Sequence, residues 1–219
     1  MKTLDASNNR LTHLTESLAS LTNLSRLVLS KNAFAALPPP VCKLASLRTL
    51  LLDSNALTTL PDSAFASLLR LEVLSLSHNQ LRSLPSSLGL LKHLRALSVS
   101  RNPLESLPSE LGACEALEDL DASHTAVSSV PPSLGCCTQL RLLQLDNTRV
   151  ASIPEAVLRG CIALTTLSLH GSLARAEVLH ATPGWDAMEA RLGDKNKARV
   201  AGGVLIGDRG LDDGLDRTR

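Results

Sequence analysis

A grid of leucines recurs along this chain at a spacing of 23 or 24 residues. The fourth unit shows the grid in full, because Leu71, Leu74 and Leu76 are followed by Asn79 and Leu81. Counted from the first grid position, eight units begin at Met1, Leu24, Leu47, Leu71, Leu94, Leu117, Leu140 and Leu164. A unit of this length can bury its apolar side only against its neighbours, so the chain is constrained to a stack of similar turns.

The pattern within each unit is L-x-x-L-x-L-x-x-N-x-L, which is the signature of leucine-rich repeats. Its x-L-x-L stretch predicts one short parallel strand per unit, with the leucines inward and the intervening residues outward. The Leu-Pro pairs that follow favour extended or short helical segments on the opposite side. The sequence therefore predicts an α/β fold, a leucine-rich repeat solenoid whose curved parallel β-sheet lines the concave side.

Position nine of the units is expected to hold the turns together. Five units have asparagine there, whose side chain can bond backbone groups of adjacent turns and form a ladder. The last three units have Thr125, Thr148 and Ser172 instead. Hydroxyl groups can make only part of the same bonding, so we expect a looser ladder in the C-terminal half.

Three segments follow from this pattern: a solenoid over residues 1–180, a capping helix over 181–200 and a flexible tail over 201–219. Thr182 and Pro183 are suited to the start of the capping helix, and Trp185 and Met188 fall on one apolar stripe. At the N-terminal end no cap is visible. Grid residues of the first unit are therefore expected to face water: Leu4, Ala6, Leu11, Leu14, Leu18 and Leu21. Either the chain is truncated, which we favour, or a partner covers this end.

Composition narrows the classes of function. The net charge of +1 indicates neither a nucleic-acid binder nor a polybasic membrane binder. No apolar run approaches the ~20 residues of a membrane span, and no secretory leader is visible, so we expect a cytoplasmic protein. Its five cysteines are accordingly expected to be reduced thiols.

No motif of catalysis or cofactor binding is present in the repeats. His78 and His124 share a column but lie two units apart, about 10 Å at the usual strand spacing, which is too far for a shared metal. No glycine-rich phosphate loop occurs within a unit. The sequence predicts a non-enzymatic protein with no catalytic residues, cofactor or metal.

The outward positions of the strands define the candidate partner-binding residues. They form an apolar spot, a flanking basic edge and a more distant acidic patch, and a protein interface often combines such an apolar centre with a charged rim. The apolar residues are Val28, Leu51 and Val73, the basic ones are Arg26, Lys31, Arg48 and Arg101, and the acidic ones are Asp119 and Asp121. At position two the charges alternate from Arg48 to Arg141, which predicts ion pairs along one edge of the sheet.

The L-P-x-x-L-x-x-L units resemble intracellular leucine-rich repeat proteins of the plant and Ras-pathway scaffold type. The end of the chain resembles small plant and algal proteins similar to leucine-rich repeat-containing protein 57. The residues that carry this second resemblance are 161–170, Gly184-Trp185-Asp186 and 206–216. The resemblance implies protein binding in intracellular signalling or scaffolding, without enzymatic activity.

The leading hypothesis is therefore a cytoplasmic interaction module or scaffold that binds a protein partner on its concave face. Two alternatives remain. One is a peripheral membrane regulator whose lipid anchor is absent from this chain, since the chain itself gives no support for membrane association. The other is a regulatory subunit of a phosphatase or a small GTPase.

Overall fold

A computed structural model describes residues 1–196 of the chain, and for residues 192–196 it describes the backbone alone. The expected tail, residues 201–219, and the last residues of the expected capping helix lie outside this range.

Eight parallel strands, β1 to β8, form one sheet in which each strand pairs with the next along the chain. The register is constant, because equivalent residues of successive repeats face each other, as Leu27 and Leu50 do. The central leucine of each strand points into the core, and Leu50, Leu74 and Leu120 are fully buried. The predicted solenoid fold is thus confirmed. Its strands are Thr3–Asp5, Arg26–Val28, Thr49–Leu51, Val73–Ser75, Ala96–Ser98, Asp119–Asp121, Leu142–Gln144 and Thr166–Ser168.

Short helices return the chain along the convex side. Five of them are 3-10 helices, and four of these follow directly after a proline, whose missing N–H and fixed φ suit a helix start. They span Glu16–Ser20, Pro39–Lys43, Ser86–Leu90, Ser109–Ala113 and Pro132–Cys136. The two 24-residue units differ: the seventh forms helix α1, Glu155–Gly160, whereas the third makes only turns over residues 62–67.

The asparagine ladder has the predicted form. The amide group of Asn55 donates to the carbonyls of Leu29 and Leu52, at 3.0 Å each, and its oxygen accepts from the N–H of Phe34. The side chain therefore ties its own turn to the preceding repeat. Thr125 and Thr148 each donate one hydrogen bond to a carbonyl of their own turn, at 2.8 and 2.7 Å, and make no bond to the preceding repeat. The looser C-terminal ladder is thus confirmed.

The first repeat is less exposed than the sequence suggests. Leu18 is buried, and the grid residues Leu4, Ala6, Leu11, Leu14 and Leu21 are half-buried against the second repeat. The expectation that all six face open water is wrong, because the second repeat covers one side of each.

Two helices follow the last strand, α2 over Ala176–His180 and α3 over Trp185–Asn196. Trp185 and Met188 are buried, and the indole ring stacks on His180 with ring centres 5.5 Å apart. Thr182 does not cap α3 as expected. Its hydroxyl donates to the carbonyl of Val178 at 2.8 Å, so it closes the C-terminal end of α2 instead.

Candidate functional site

The apolar spot of the concave face lies on β2, β3 and β4. Val28 faces Leu51 across the β2–β3 pair, and Val73 faces Thr49 across the β3–β4 pair, diagonally from Leu51. Leu51 and Val73 are half-buried, whereas Val28 is only 8% exposed. The accessible part of the spot is therefore Leu51 and Val73, whereas Val28 is almost fully covered by its neighbours on the concave face.

The four basic residues of the predicted edge do not form one group. Arg26, on β2, lies beside Thr49 and is exposed, and Lys31 is exposed in the turn that follows β2. Arg48 is occupied by a salt bridge with Glu72 of the next repeat. Arg101 lies three repeats beyond Lys31, about 14 Å away at the usual strand spacing. Only Arg26 and Lys31 border the apolar spot.

The charge row at position two forms ion pairs, as predicted. Arg48 pairs with Glu72, and Glu118 pairs with both Arg95, at 3.6 Å, and Arg141, at 3.7 Å. Each exposed pair contributes only ~0.2–1 kcal/mol. These charges therefore align neighbouring repeats and are less available to a partner.

The acidic patch lies on β6, two strands beyond Val73 of the apolar spot. Asp121 accepts hydrogen bonds from Ser98, at 3.1 Å, and from the hydroxyl and N–H of Ser123. Asp119 is exposed, and its pKa is raised by partial burial and by the neighbouring Glu118, against the lowering effect of Arg141. Asp121 is thus engaged within the sheet, and Asp119 is the exposed carboxylate of this patch.

A column of short polar side chains at position seven was missed by the sequence reasoning. Asp53 accepts hydrogen bonds from Ser30, at position seven of the preceding repeat, and from Ser75, at position five of the next repeat. Asp146 accepts from the hydroxyl of Ser168 and from the N–H of His170, at 2.8 Å. Serine and aspartate recur at this position along the sequence, so reading that column as well would have found the network. It fixes the strand ends at the concave face.

An open groove of about 590 Å³ runs along the loops that follow β5, β6 and β7. Positions eight to ten of these repeats line it, with Arg101 at one end, His124 in the middle and Arg149 at the other. Thr125 and Thr148, where the asparagine ladder lapses, form its floor. We call this feature the loop-edge groove. Arg101, which was expected on the concave basic edge, belongs to it.

Comparisons with known proteins agree with this geometry. A family model described as leucine rich repeat matches residues 45–104. A leucine-rich repeat protein of Leptospira interrogans has a similar structure, with a TM-score of 0.80 at 28% identity over 88% of this chain. The fold is a leucine-rich repeat solenoid.

Two plant receptors are also similar to this leucine-rich repeat chain. One is the peptide hormone receptor RGFR1 in complex with RGF2, with a TM-score of 0.70 at 28% identity over 80% of this chain. The other is the ectodomain of the Arabidopsis thaliana receptor kinase GASSHO1/SCHENGEN3 in complex with Casparian strip integrity factor 2, with a TM-score of 0.64 at 25% identity over 80%. This chain spans 47% of the Leptospira protein and 29% and 28% of the two receptors.

No curated protein sequence matches the chain. The expected similarity to plant and algal proteins of the leucine-rich repeat-containing protein 57 type therefore has no support from these comparisons. Leucine-rich repeats generally serve as interaction modules without enzymatic activity, and their extended concave surfaces are the usual binding face.

Among the side chains of residues 1–191, no group of three or more His, Cys, Asp or Glu is placed to hold a metal ion. Over the same range, no helix has both the length and the apolar character needed to cross a membrane. Cys114, Cys137 and Cys161 stack in successive repeats, and each thiol donates to a buried backbone carbonyl of the preceding repeat at 3.3 Å.

Proposed function

We propose that this chain is a non-enzymatic interaction module that binds a protein partner over β2–β4 of the concave face. The supporting observation is the adjoining pair Leu51 and Val73, half-exposed on neighbouring strands beside the exposed Arg26. Arg26 forms no salt bridge with any side chain of residues 1–191, so its guanidinium group is available to a partner. Apolar contacts beside an arginine are a usual composition for the centre of an interface.

The similar receptors add general support for a protein ligand. Both were solved in complex with a second molecule, RGF2 in one case and Casparian strip integrity factor 2 in the other. These chains share the repeat fold with the present one, and the shared fold is suited to binding a second molecule here as well. The identity of the ligand does not transfer.

We further propose a cytoplasmic role in signalling or scaffolding. All five cysteines are free thiols, although three of them stack in adjacent repeats, and free thiols suit a reducing compartment. The scaffold role rests on the resemblance of the repeats to intracellular scaffold proteins, and the relation to leucine-rich repeat-containing protein 57 stays part of this proposal.

Partner capture by a charge-reversed concave face tests the proposal. The amount of partner protein captured from a cell extract is quantified by mass spectrometry. With the double variant Arg26→Glu/Leu51→Glu it should fall about tenfold or more, as expected for loss of an interface centre. The matched control is Leu142→Lys, which places a charge at an equally half-exposed leucine on β7 of the same face.

Melting temperatures of both variants establish that they fold. The proposal requires that the control keeps the partners of the parent chain while the folded double variant loses them. Equal capture by the double variant and the parent chain would overturn it.

A further inference from the structure

The loop-edge groove carries positive charge that the protein itself does not neutralise. Arg101 and Arg149 are exposed, and neither forms a salt bridge with any other residue in the described part of the chain. His124 lies between them and contacts the side chain of Asn147 at 3.5 Å. The groove is thus bordered by two guanidinium groups without carboxylate partners.

The floor of the groove adds backbone donors. In the fourth repeat, the N–H of Leu81 donates to the side-chain oxygen of Asn102 at 2.9 Å. The equivalent N–H groups of Leu104 and Val127 face the positions of Thr125 and Thr148, whose hydroxyls are turned to carbonyls of their own turns. Among residues 1–196, these two N–H groups have no acceptor.

A buried N–H group that lacks an acceptor is rare in proteins and carries a partial positive charge. Two of them occur in adjacent repeats, next to Thr125 and Thr148 of the groove floor. The floor and the border of the groove therefore favour the same kind of ligand, one that carries negatively charged oxygen atoms.

We propose that the loop-edge groove binds an extended acidic peptide segment that carries two carboxylates three residues apart. The loops that carry Arg101 and Arg149 are two repeats apart, about 10 Å at the usual strand spacing. A peptide in the polyproline II conformation has three residues per turn and rises about 3.1 Å per residue, so side chains three positions apart lie on one face, about 9 Å from each other. Guanidinium groups bind carboxylates through paired, charge-assisted hydrogen bonds, which gives each arginine one carboxylate.

A peptide fits this groove better than a small anion does. The groove is open along the loops of three successive repeats and its two arginines do not converge on one point. A single phosphate or free carboxylate would engage one end only, whereas an extended segment engages both.

The inference rests on the proposed function in one respect, that the occupant is a protein segment. Its location is separate, because the groove follows β5–β7 on the loop side and the proposed concave surface lies on β2–β4. A failure at the groove would leave the concave surface untouched, and the reverse also holds.

Fluorescence anisotropy with a defined peptide tests the groove directly. The probe is a labelled, end-blocked peptide with the core Glu-Ala-Ala-Glu, compared with Gln-Ala-Ala-Gln and with inorganic phosphate as a competitor. The acidic peptide should bind in a salt-dependent manner, the glutamine peptide should not, and phosphate should compete only weakly. Equal binding of the two peptides, or full competition by phosphate at the peptide's own concentration, would overturn the proposal.

Variants place the binding at the groove. Arg101→Ala and Arg149→Ala should each weaken peptide binding about tenfold, the usual effect of losing a charged hydrogen bond. The control is Arg70→Ala. Arg70 is exposed, lies outside the groove and forms no salt bridge with the described residues, so its loss should leave the affinity within about twofold of the parent chain. Unchanged affinity in either groove variant would contradict the assignment.

The double variant Thr125→Asn/Thr148→Asn tests the floor with a readout that loss of folding cannot mimic. Asparagine should accept from the N–H groups of Leu104 and Val127, so the melting temperature should rise while peptide binding weakens. A variant that melts higher and binds the peptide as before would overturn the part assigned to the floor.

Discussion

At the scale of single residues, position eight of each repeat has a backbone conformation that most side chains disfavour. The φ angle is positive at this position in the first seven repeats, between 52° and 56°, and the eighth has Gly171 at 66°. The left-handed region costs most residues free energy, and asparagine and glycine least. Lys31 and Arg101 nevertheless adopt it, because the turn after each strand requires it. These two cations are therefore fixed at the corner between sheet and loops.

Cysteine reactivity separates the buried thiols from the exposed one. Burial raises the pKa of Cys114 and Cys161 to about 11 and that of Cys137 to about 12. Since the thiolate is the reactive form, these residues combine low access with a low thiolate fraction. Cys136 is exposed, although it is the direct neighbour of Cys137.

Maleimide labelling of the folded chain near pH 7.5 should therefore modify Cys136 first and Cys42, which is half-buried, more slowly. Cys114, Cys137 and Cys161 should react only after denaturant is added. Peptide mapping by mass spectrometry identifies the labelled sites. Rapid modification of Cys137 in the folded chain would contradict the burial described here.

At the scale of elements, the convex helices are held close together by glycine. A Cβ atom on Gly135 would lie 2.2 Å from the carbonyl oxygen of Ala156, which belongs to the segment packed against it. The neighbour is backbone, so it cannot move aside cheaply. Gly89 occupies the same place in an earlier repeat, with a milder approach of 2.7 Å to the carbonyl of Glu110.

Gly135→Ala should accordingly lower the free energy of unfolding by about 1–3 kcal/mol, the usual cost of overpacking. Gly89→Ala is the graded comparison and should cost less. Denaturant titration followed by circular dichroism measures both. No cost for Gly135→Ala would show that the repeats separate on the convex side without penalty, and equal costs for the two variants would show that the closer approach at Gly135 does not matter.

The sequence predicted some elements well because their signals repeat. The leucine grid determined the strands and their order, and the position-nine residues determined where the ladder weakens. Helix α2 and the role of Thr182 were not predicted, because a single threonine before a proline is equally suited to begin one helix or to close another. The extra residue of the 24-residue units forms α1 in the seventh unit but only turns in the third.

The candidate site was less predictable than the fold, for reasons that depend on neighbours. The outward direction of Val28 follows from the strand pattern, but its burial depends on side chains of adjacent strands. The alternating charges predicted that Arg48 would pair, but not that Arg95 would choose Glu118 over Glu72. The N–H groups of Leu104 and Val127 lack an acceptor because the residue that would accept from each belongs to the next repeat. A single repeat read on its own therefore does not predict them.

At the scale of the whole molecule, the solenoid divides into two halves with different surfaces. The first half has a continuous asparagine ladder and presents the concave surface of Leu51, Val73 and Arg26. The second half lacks part of the ladder and presents the loop-edge groove. In a solenoid each repeat packs mainly against its direct neighbours. The two halves can therefore bind different ligands without disturbing each other.

Site-specific photocrosslinking measures most directly whether the concave face contacts a protein partner. A photoreactive amino acid is placed either at Leu51 on β3 or at Leu90, an exposed leucine on the convex side. Each chain is irradiated in a cell extract, and the adducts are identified by mass spectrometry. The account predicts a discrete protein adduct at position 51, which excess parent chain abolishes and excess Arg26→Glu/Leu51→Glu chain does not. The same adduct at position 90 with none at position 51 would contradict it.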